Sequence, residues 1–238
     1  MSSHFLHAEW NNLIMANYVV PDELLHPYIP AATELDFYKG KTYISLVGFM
    51  FLNTRIRGFS VPYHVNFEEV NLRFYVKHND RGSWKRGTVF IKEIVPKPAI
   101  SFVANRLFKE KYSTMKMRHF HIEKPDVIET CYEWKYQNKW NKLMAACHKK
   151  SCPMRINSEE EFIAEHYWGY TKYDDTRTYE YEVEHPRWEI FPVSDYTIEC
   201  DFKGIYGDKF SFLKEMKPSS VFMAKGSEVR IYNKITLT

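Results

Sequence analysis

The chain has 238 residues, with Lys+Arg 33 against Asp+Glu 30 and a formal net charge of +3. That near-balance lacks the clustered basic excess of a nucleic-acid-binding surface, and the short run Lys149-Lys150 reads as a solvated loop. No stretch approaches the roughly 18 apolar residues of a membrane helix, and the first residues carry neither a basic nor an apolar signal region, so a cytoplasmic protein without a membrane segment is expected.

Aromatic residues make up 17%, with 17 Phe and 17 Tyr, a bias toward strands. Asp22 after Pro21 reads as a helix N-cap, and Pro27 and Pro30 limit that helix to residues 22–27. Residues 42–52 form a near-continuous apolar strand, expected to be buried on both faces. The strand over 67–77 alternates. Val70, Leu72, Phe74 and Val76 share one face, and Glu69, Asn71, Arg73 and Tyr75 share the other. A turn at Asp80-Arg81-Gly82 leads into a strand over 88–95. Pro98 and the spacing of Ile100, Val103, Ala104 and Leu107 predict a helix over 98–108.

Strands follow over 112–122 and 129–147, with a turn at Gln137-Asn138. Ser158 and Glu161 form a capping box that opens a helix running to about Tyr167. Further strands are punctuated by Gly204, Gly207, Pro218 and Gly226. The fold class expected is mainly β with a few short helices, mostly antiparallel. Any division falls near Pro125 with both halves sharing one core, so residues 1–238 are expected to form a single domain. Cys131, Cys147, Cys152 and Cys200 form no CxxC pair and read as reduced thiols, with no metal site and no cofactor.

Residues 178–188 carry the strongest pattern. Strand alternation places Glu180, Glu182 and Glu184 on one face, and Tyr179, Tyr181, Val183, His185 and Arg187 on the other. Burying three unpaired carboxylates is prohibitively costly, so the glutamates are expected in solvent and the tyrosines, His185 and Arg187 inside. An imidazole and a guanidinium among aromatics describe a small-molecule pocket or a hydrogen-bonded core. Tyr181, His185 and Arg187 are therefore candidate binding residues. Arg73 and Asn71 join them if their face of the 67–77 strand is the inner one, where Arg73 would clamp a carboxylate in bidentate geometry. Periodicity groups those residues without saying which side is inside. Glu93 shares, by alternation, a face with Val89, Ile91 and Val95. That apolar setting raises a carboxylate's pKa and suits a general acid or base, the plain alternative being an ion pair with Arg73.

Several segments in order resemble the YqjF-like family, within the acetoacetate decarboxylase-like superfamily. They are Ala8-Glu-Trp-Asn-Asn-Leu13, Leu46-Val-Gly-Phe49, Phe67-Glu-Glu-Val-Asn-Leu-Arg-Phe-Tyr-Val76, Phe90-Ile-Lys-Glu-Ile-Val-Pro96, His166-Tyr-Trp-Gly-Tyr170, His185-Pro-Arg-Trp188 and Ala224-Lys-Gly-Ser227. The resemblance implies a cone-shaped antiparallel β-barrel with a central cavity. In the decarboxylases a lysine of a Pro-Lys-Lys element forms a Schiff base with a β-keto acid, which makes Lys97, after Pro96, the candidate catalytic counterpart beside Glu93. Pro98 stands where the second lysine would depress the amine's pKa, so Lys97 is expected to be a turn lysine rather than an imine-forming one. Three functions follow as alternatives. The first is a protein binding a small, anionic carboxylate or keto acid in a polar cavity. The second is a lyase acting on such an acid. The third is a structural or interaction protein whose cavity is filled.

Overall fold

The structure, a computed structural model, describes residues 4–238. In chain order the strands are β1 (His4–Val20), β2 (Glu34–Leu35), β3 (Thr42–Ile56), β4 (Phe67–Asp80) and β5 (Ser83–Val95), followed by the helix α1 (Pro98–Phe108). Next come β6 (Tyr112–Thr114), β7 (Lys116–Glu123), β8 (Val127–Tyr136), β9 (Lys139–His148), β10 (Cys152–Pro153) and α2 (Glu159–Ala164). The chain continues through β11 (Trp168–Lys172), β12 (Thr178–Glu184), β13 (Glu189–Phe191), β14 (Val193–Glu199), α3 (Phe202–Tyr206), β15 (Ser220–Tyr232) and β16 (Ile235–Leu237).

The large sheet runs β15-β1-β3-β4-β5-β11-β12, and the pairs Val183↔Ile231 and Glu184↔Arg230 bring β12 back to β15. The sheet therefore curls into a barrel-like shell, antiparallel except where β11 and the short β6 each meet β5 in parallel. Its central junction joins segments far apart in sequence: β1 pairs with β15 from His4↔Tyr232 to Asn17↔Ser220. A second, four-stranded antiparallel sheet, β14-β9-β8-β7, covers part of the outside.

Two cores follow from strand alternation. Ile44, Leu46, Val70, Leu72 and Phe74 pack outward against Tyr132, Trp134, Leu143 and Ala145 of the second sheet. Leu13, Met15, Tyr43, Val47, Phe49, Phe51 and Tyr75 fill the inside with Phe162 and Ile163 of α2. β3 is thus buried on both faces, as its unbroken apolar run predicts. Gly48 on β3 has a packing reason, since a Cβ there would lie 2.8 Å from the Tyr132 ring.

The hairpin turns match their sequences. Arg81 and Gly82, and Gln137 and Asn138, all adopt positive φ, as tight two-residue hairpins require. α1 spans 98–108 as expected. The helix expected over 22–27 is instead two 3-10 turns, Asp22–Leu24 and His26–Tyr28, because Pro27 interrupts the run after one turn. Ser158 caps α2 by accepting from Glu161 N–H at 3.2 Å, but the helix stops at Ala164. From there Tyr167 N–H bonds Arg86 C=O, and the chain leaves as β11 beside β5. Among the described residues no helix is long and apolar enough to cross a membrane.

Candidate functional site

The polar face of β4 is the inner one. Val70, Leu72 and Phe74 are taken up by the outer core, so Glu69, Asn71, Arg73 and Tyr75 project into the shell. Asn71 donates to Glu69 Oε1 at 2.9 Å. Arg73 is 8% exposed, its Nη2 touches Met15 Sδ at 3.8 Å, and its Nε has no partner. Among the described residues no carboxylate forms an ion pair with this guanidinium, so the expected Arg73–Glu93 pair is not made.

A β-bulge delivers Glu93. Leu72 pairs with Lys92 and Arg73 with Phe90, leaving Ile91 as the extra residue on β5. Val89 and Ile91 therefore lie in the outer core, whereas Glu93 and Val95 turn inward. Simple alternation had grouped Glu93 with Val89 and Ile91; the bulge re-phases the strand between them. Lys92, released outward, donates to Ile205 C=O.

Glu93 belongs to a cluster of three buried carboxyls. Glu69 accepts from the Tyr112 hydroxyl at 3.0 Å, and Glu110 accepts from Tyr181 at 2.9 Å and from Thr171. Glu93 Oε2 has no partner. Burial, reinforced by the neighbouring Glu110 and Glu69, holds the Glu93 pKa well above the usual carboxylate range. Burial also pushes Glu69 and Glu110 up to about 7, against the opposing effect of their hydrogen bonds. The shift favours the protonated, hydrogen-donating form of Glu93. Gly169 makes the arrangement possible: it pairs with Tyr181 across the β11–β12 ladder, and a Cβ there would fall 2.1 Å from the tyrosine ring.

Glu110 was not visible in the sequence. Between Lys109 and Lys111 it looks like a solvated charge run. In the structure Lys109 adopts the left-handed conformation that ends α1, at φ 60°, and Glu93 N–H bonds Lys111 C=O at 3.2 Å. The turn and that bond bring Glu110 in under the helix.

Two chambers adjoin at the carboxyls and share part of their lining. The inner one, about 70 Å³, is lined by side chains from all seven strands of the shell, including Asn71, Arg73, Thr88 and Trp168, together with His166. The outer one, about 170 Å³, is walled by Phe51, Ile56, Phe67, Ile100, Val103 and Phe108 and reaches Glu110. Phe51, Glu93, Tyr112, Tyr181 and Ile231 line both. His166 Nε2 lies 3.2 Å from Asp36 Oδ2, which also accepts from Arg86 Nε at 2.6 Å, and its Nδ1 has no partner. Burial outweighs Asp36 and lowers the His166 pKa to about 4, so the ring is neutral.

The remaining sequence candidates separate. Tyr181 lines both chambers. His185 is buried, stacked on Trp188 with ring centres 4.0 Å apart, and its pKa falls to about 4 through burial. Arg187 is not inside. β12 ends at Glu184 and Pro186 breaks the alternation, so Arg187 lies at the surface, ion-paired with Glu161 and donating to Met154 C=O at 3.0 Å. Glu180 is also reversed. It is fully buried rather than solvated, because Lys85 Nζ at 2.9 Å and the Tyr170 hydroxyl at 3.0 Å satisfy it, while Glu182 and Glu184 are exposed as expected. Lys97 caps α1 with its backbone and lines neither chamber. Among the described residues no three His, Cys, Asp or Glu side chains gather closely enough to hold a metal ion.

The sequence profile of DUF2071, a family described as an uncharacterized conserved protein, matches residues 7–228. The chain belongs to this family. Within it, the "Uncharacterized protein YqjF" of Bacillus subtilis (strain 168) is 28% identical over 183 residues, covering 75% of this chain and 72% of that protein. Solved structures show the same acetoacetate decarboxylase-like fold in this DUF2071 protein. The enduracididine biosynthesis enzyme MppR, complexed with pyruvate, superposes with a TM-score of 0.68 at 11% identity, over 98% of this chain and 90% of that one. The acetoacetate decarboxylase of Legionella pneumophila gives 0.65 at 11% identity, over 100% and 90%. An acetoacetate decarboxylase-like enzyme from Sphingomonas wittichii RW1 gives 0.68 at 9% identity, over 100% and 94%. At these identities the likeness concerns the fold.

Proposed function

We propose that this DUF2071 protein binds a small carboxylate or keto acid, with the carboxylate on Arg73 and the carbonyl side turned toward Glu93. The observation that carries the reading is Arg73 itself: a buried guanidinium that lines the inner chamber with no carboxylate within ion-pairing distance among the described residues, Glu69 being its nearest electrostatic neighbour. A desolvated cation in that state gains most from an anionic ligand whose two oxygens match its fork. The polar cavity argues against the filled-cavity reading, and the pyruvate complex of the structural neighbour MppR is consistent with the ligand class. Four free thiols, three of them buried, support a reducing, cytoplasmic location.

Titration calorimetry with pyruvate and acetoacetate at pH 7 tests the reading. Hydrogen bonds to a charged group are worth about 1.5–3 kcal/mol, so Arg73→Met is expected to weaken binding roughly 10- to 150-fold while the protein stays folded by circular dichroism. Wild-type protein that binds neither acid, or a folded variant that binds as well, refutes it.

If the site also turns its ligand over as a lyase, the proposed proton donor is Glu93, and Lys97, which lines neither chamber, is proposed to form no imine. Borohydride reduction with acetoacetate, followed by peptide mass mapping, is expected to leave Lys97 unmodified. A substrate-derived adduct on Lys97 would reverse that assignment.

A further inference from the structure

We infer that the ligand is a 2-oxo acid carrying an apolar substituent about the size of a phenyl ring, its carboxylate in the inner chamber and its substituent in the outer one. The inference rests on the reading of Arg73 above and adds to it the class of acid.

The division of volume and chemistry sets the orientation. The inner chamber, about 70 Å³, holds the guanidinium but is too small for a ring together with a carboxylate. The outer chamber is about 170 Å³ and walled by Phe51, Phe67, Val103 and Phe108. An apolar protein cavity of about 150 Å³ accepts a benzene molecule, so this one has room for a single ring or a branched alkyl group of similar size. Pyruvate alone would leave the outer chamber empty. A simple hydrocarbon would leave Arg73 and the carboxyl cluster without a partner, which costs affinity. One molecule satisfies both chambers only if its polar head and apolar tail join beside Glu93, which lines both.

The size of the chamber also sets a limit. Each buried methylene equivalent strengthens binding about fourfold, and a substituent larger than the chamber passes beyond Phe59 and Val61, which are 77% and 44% exposed. Affinity is therefore expected to rise with tail size to about one ring and then level off.

Calorimetry with pyruvate, 4-methyl-2-oxopentanoate and 4-phenyl-2-oxobutanoate reads this out on the wild type. A second series uses Ala104→Trp, which fills the outer chamber from α1, and the milder Ala104→Met for the case in which the tryptophan variant does not fold. On wild type the phenyl acid is expected to bind at least ~30-fold more tightly than pyruvate, with the branched acid between them, and in the variants the ratio should fall toward one. If pyruvate binds in an Arg73-dependent way but the phenyl acid is no tighter, the inference fails and the proposed function stands. A phenyl preference that survives in the folded Ala104 variants places the ring elsewhere and also overturns it. If none of the three acids binds, the proposed function fails first.

Discussion

Lys85→Met is expected to destabilise the protein by about 3 kcal/mol, lowering its melting temperature by roughly 6–12 °C. Glu180 is completely buried, and Lys85 Nζ at 2.9 Å is the cation that compensates it. Removing the cation leaves a carboxylate in the protein interior whose one remaining hydrogen bond comes from Tyr170, a loss well beyond that of an exposed pair. Methionine keeps much of the stem that lies over the Trp168 ring, 4.3 Å from Nζ to its centre, so packing changes little. The charge explanation makes a second demand. In Lys85→Met/Glu180→Leu both charges are gone, and the Tyr170 hydroxyl still has the Lys85 backbone carbonyl position at 3.2 Å. The double variant is expected to recover to within about 1 kcal/mol of wild type. Urea or thermal unfolding measures both. A single variant as stable as wild type, or a double variant no better than the single, would show that the pair does not hold β12 in place.

Glu110→Gln is expected to have an effect that depends on pH, with almost none at pH 4 and a stabilisation of about 3 kcal/mol above pH 7. The free carboxyl of an unfolded chain ionises near 4.5, whereas burial raises Glu110 to about 7 in the folded state. Between those values the unfolded chain has released a proton that the folded protein keeps, so raising the pH favours unfolding. The stability associated with this group is fully present below about pH 4.5 and lost as the pH climbs through 7. Glutamine keeps an oxygen for Tyr181 and Thr171 but has no proton to lose. Other groups run the opposite way: His166 and His185, both lowered to about 4, stabilise the fold at neutral pH and withdraw that support as the pH falls. The difference between variant and wild type isolates Glu110 from them. Denaturation curves at half-unit steps from pH 4 to 8 are the measurement, and two parallel stability profiles would refute the assignment.

Alternation and apolar runs made most of the scaffold legible. They carried β3, β4, α1, the two tight hairpins and the two faces of β4, because each of those depends on neighbours only a few residues away. What escaped depends on distant partners or on a single inserted residue. The bulge at Ile91 turns Glu93 inward, and nothing in the β5 sequence announces it. Alternation puts Glu180 in solvent because three carboxylates in a row usually belong there. The rule failed at one position, where Lys85, 95 residues earlier, supplies the charge. Alternation does not reach Arg187, because the strand ends at Glu184, before Pro186. Glu110 is the most consequential omission. Its role comes from the backbone of Lys109 and from the bond between β5 and Lys111, neither of which its charged neighbours suggest.

The pairing of β1 with β15 also bears on how the molecule is made. β1 pairs with β15 along most of its length, and 203 residues separate Asn17 from its partner Ser220, so β1 must wait for a strand made much later. At about 5–20 residues per second the interval is on the order of 10–40 s. Through that time one long edge of β1 can pair with β3 only, and its other edge presents open backbone donors and acceptors to any neighbouring strand. Growing chains are therefore most exposed to misassociation just before synthesis reaches β15. Contacts this remote in sequence also put folding among the slower classes. The same seam that closes the shell around the carboxyls can form only after β15 has been made.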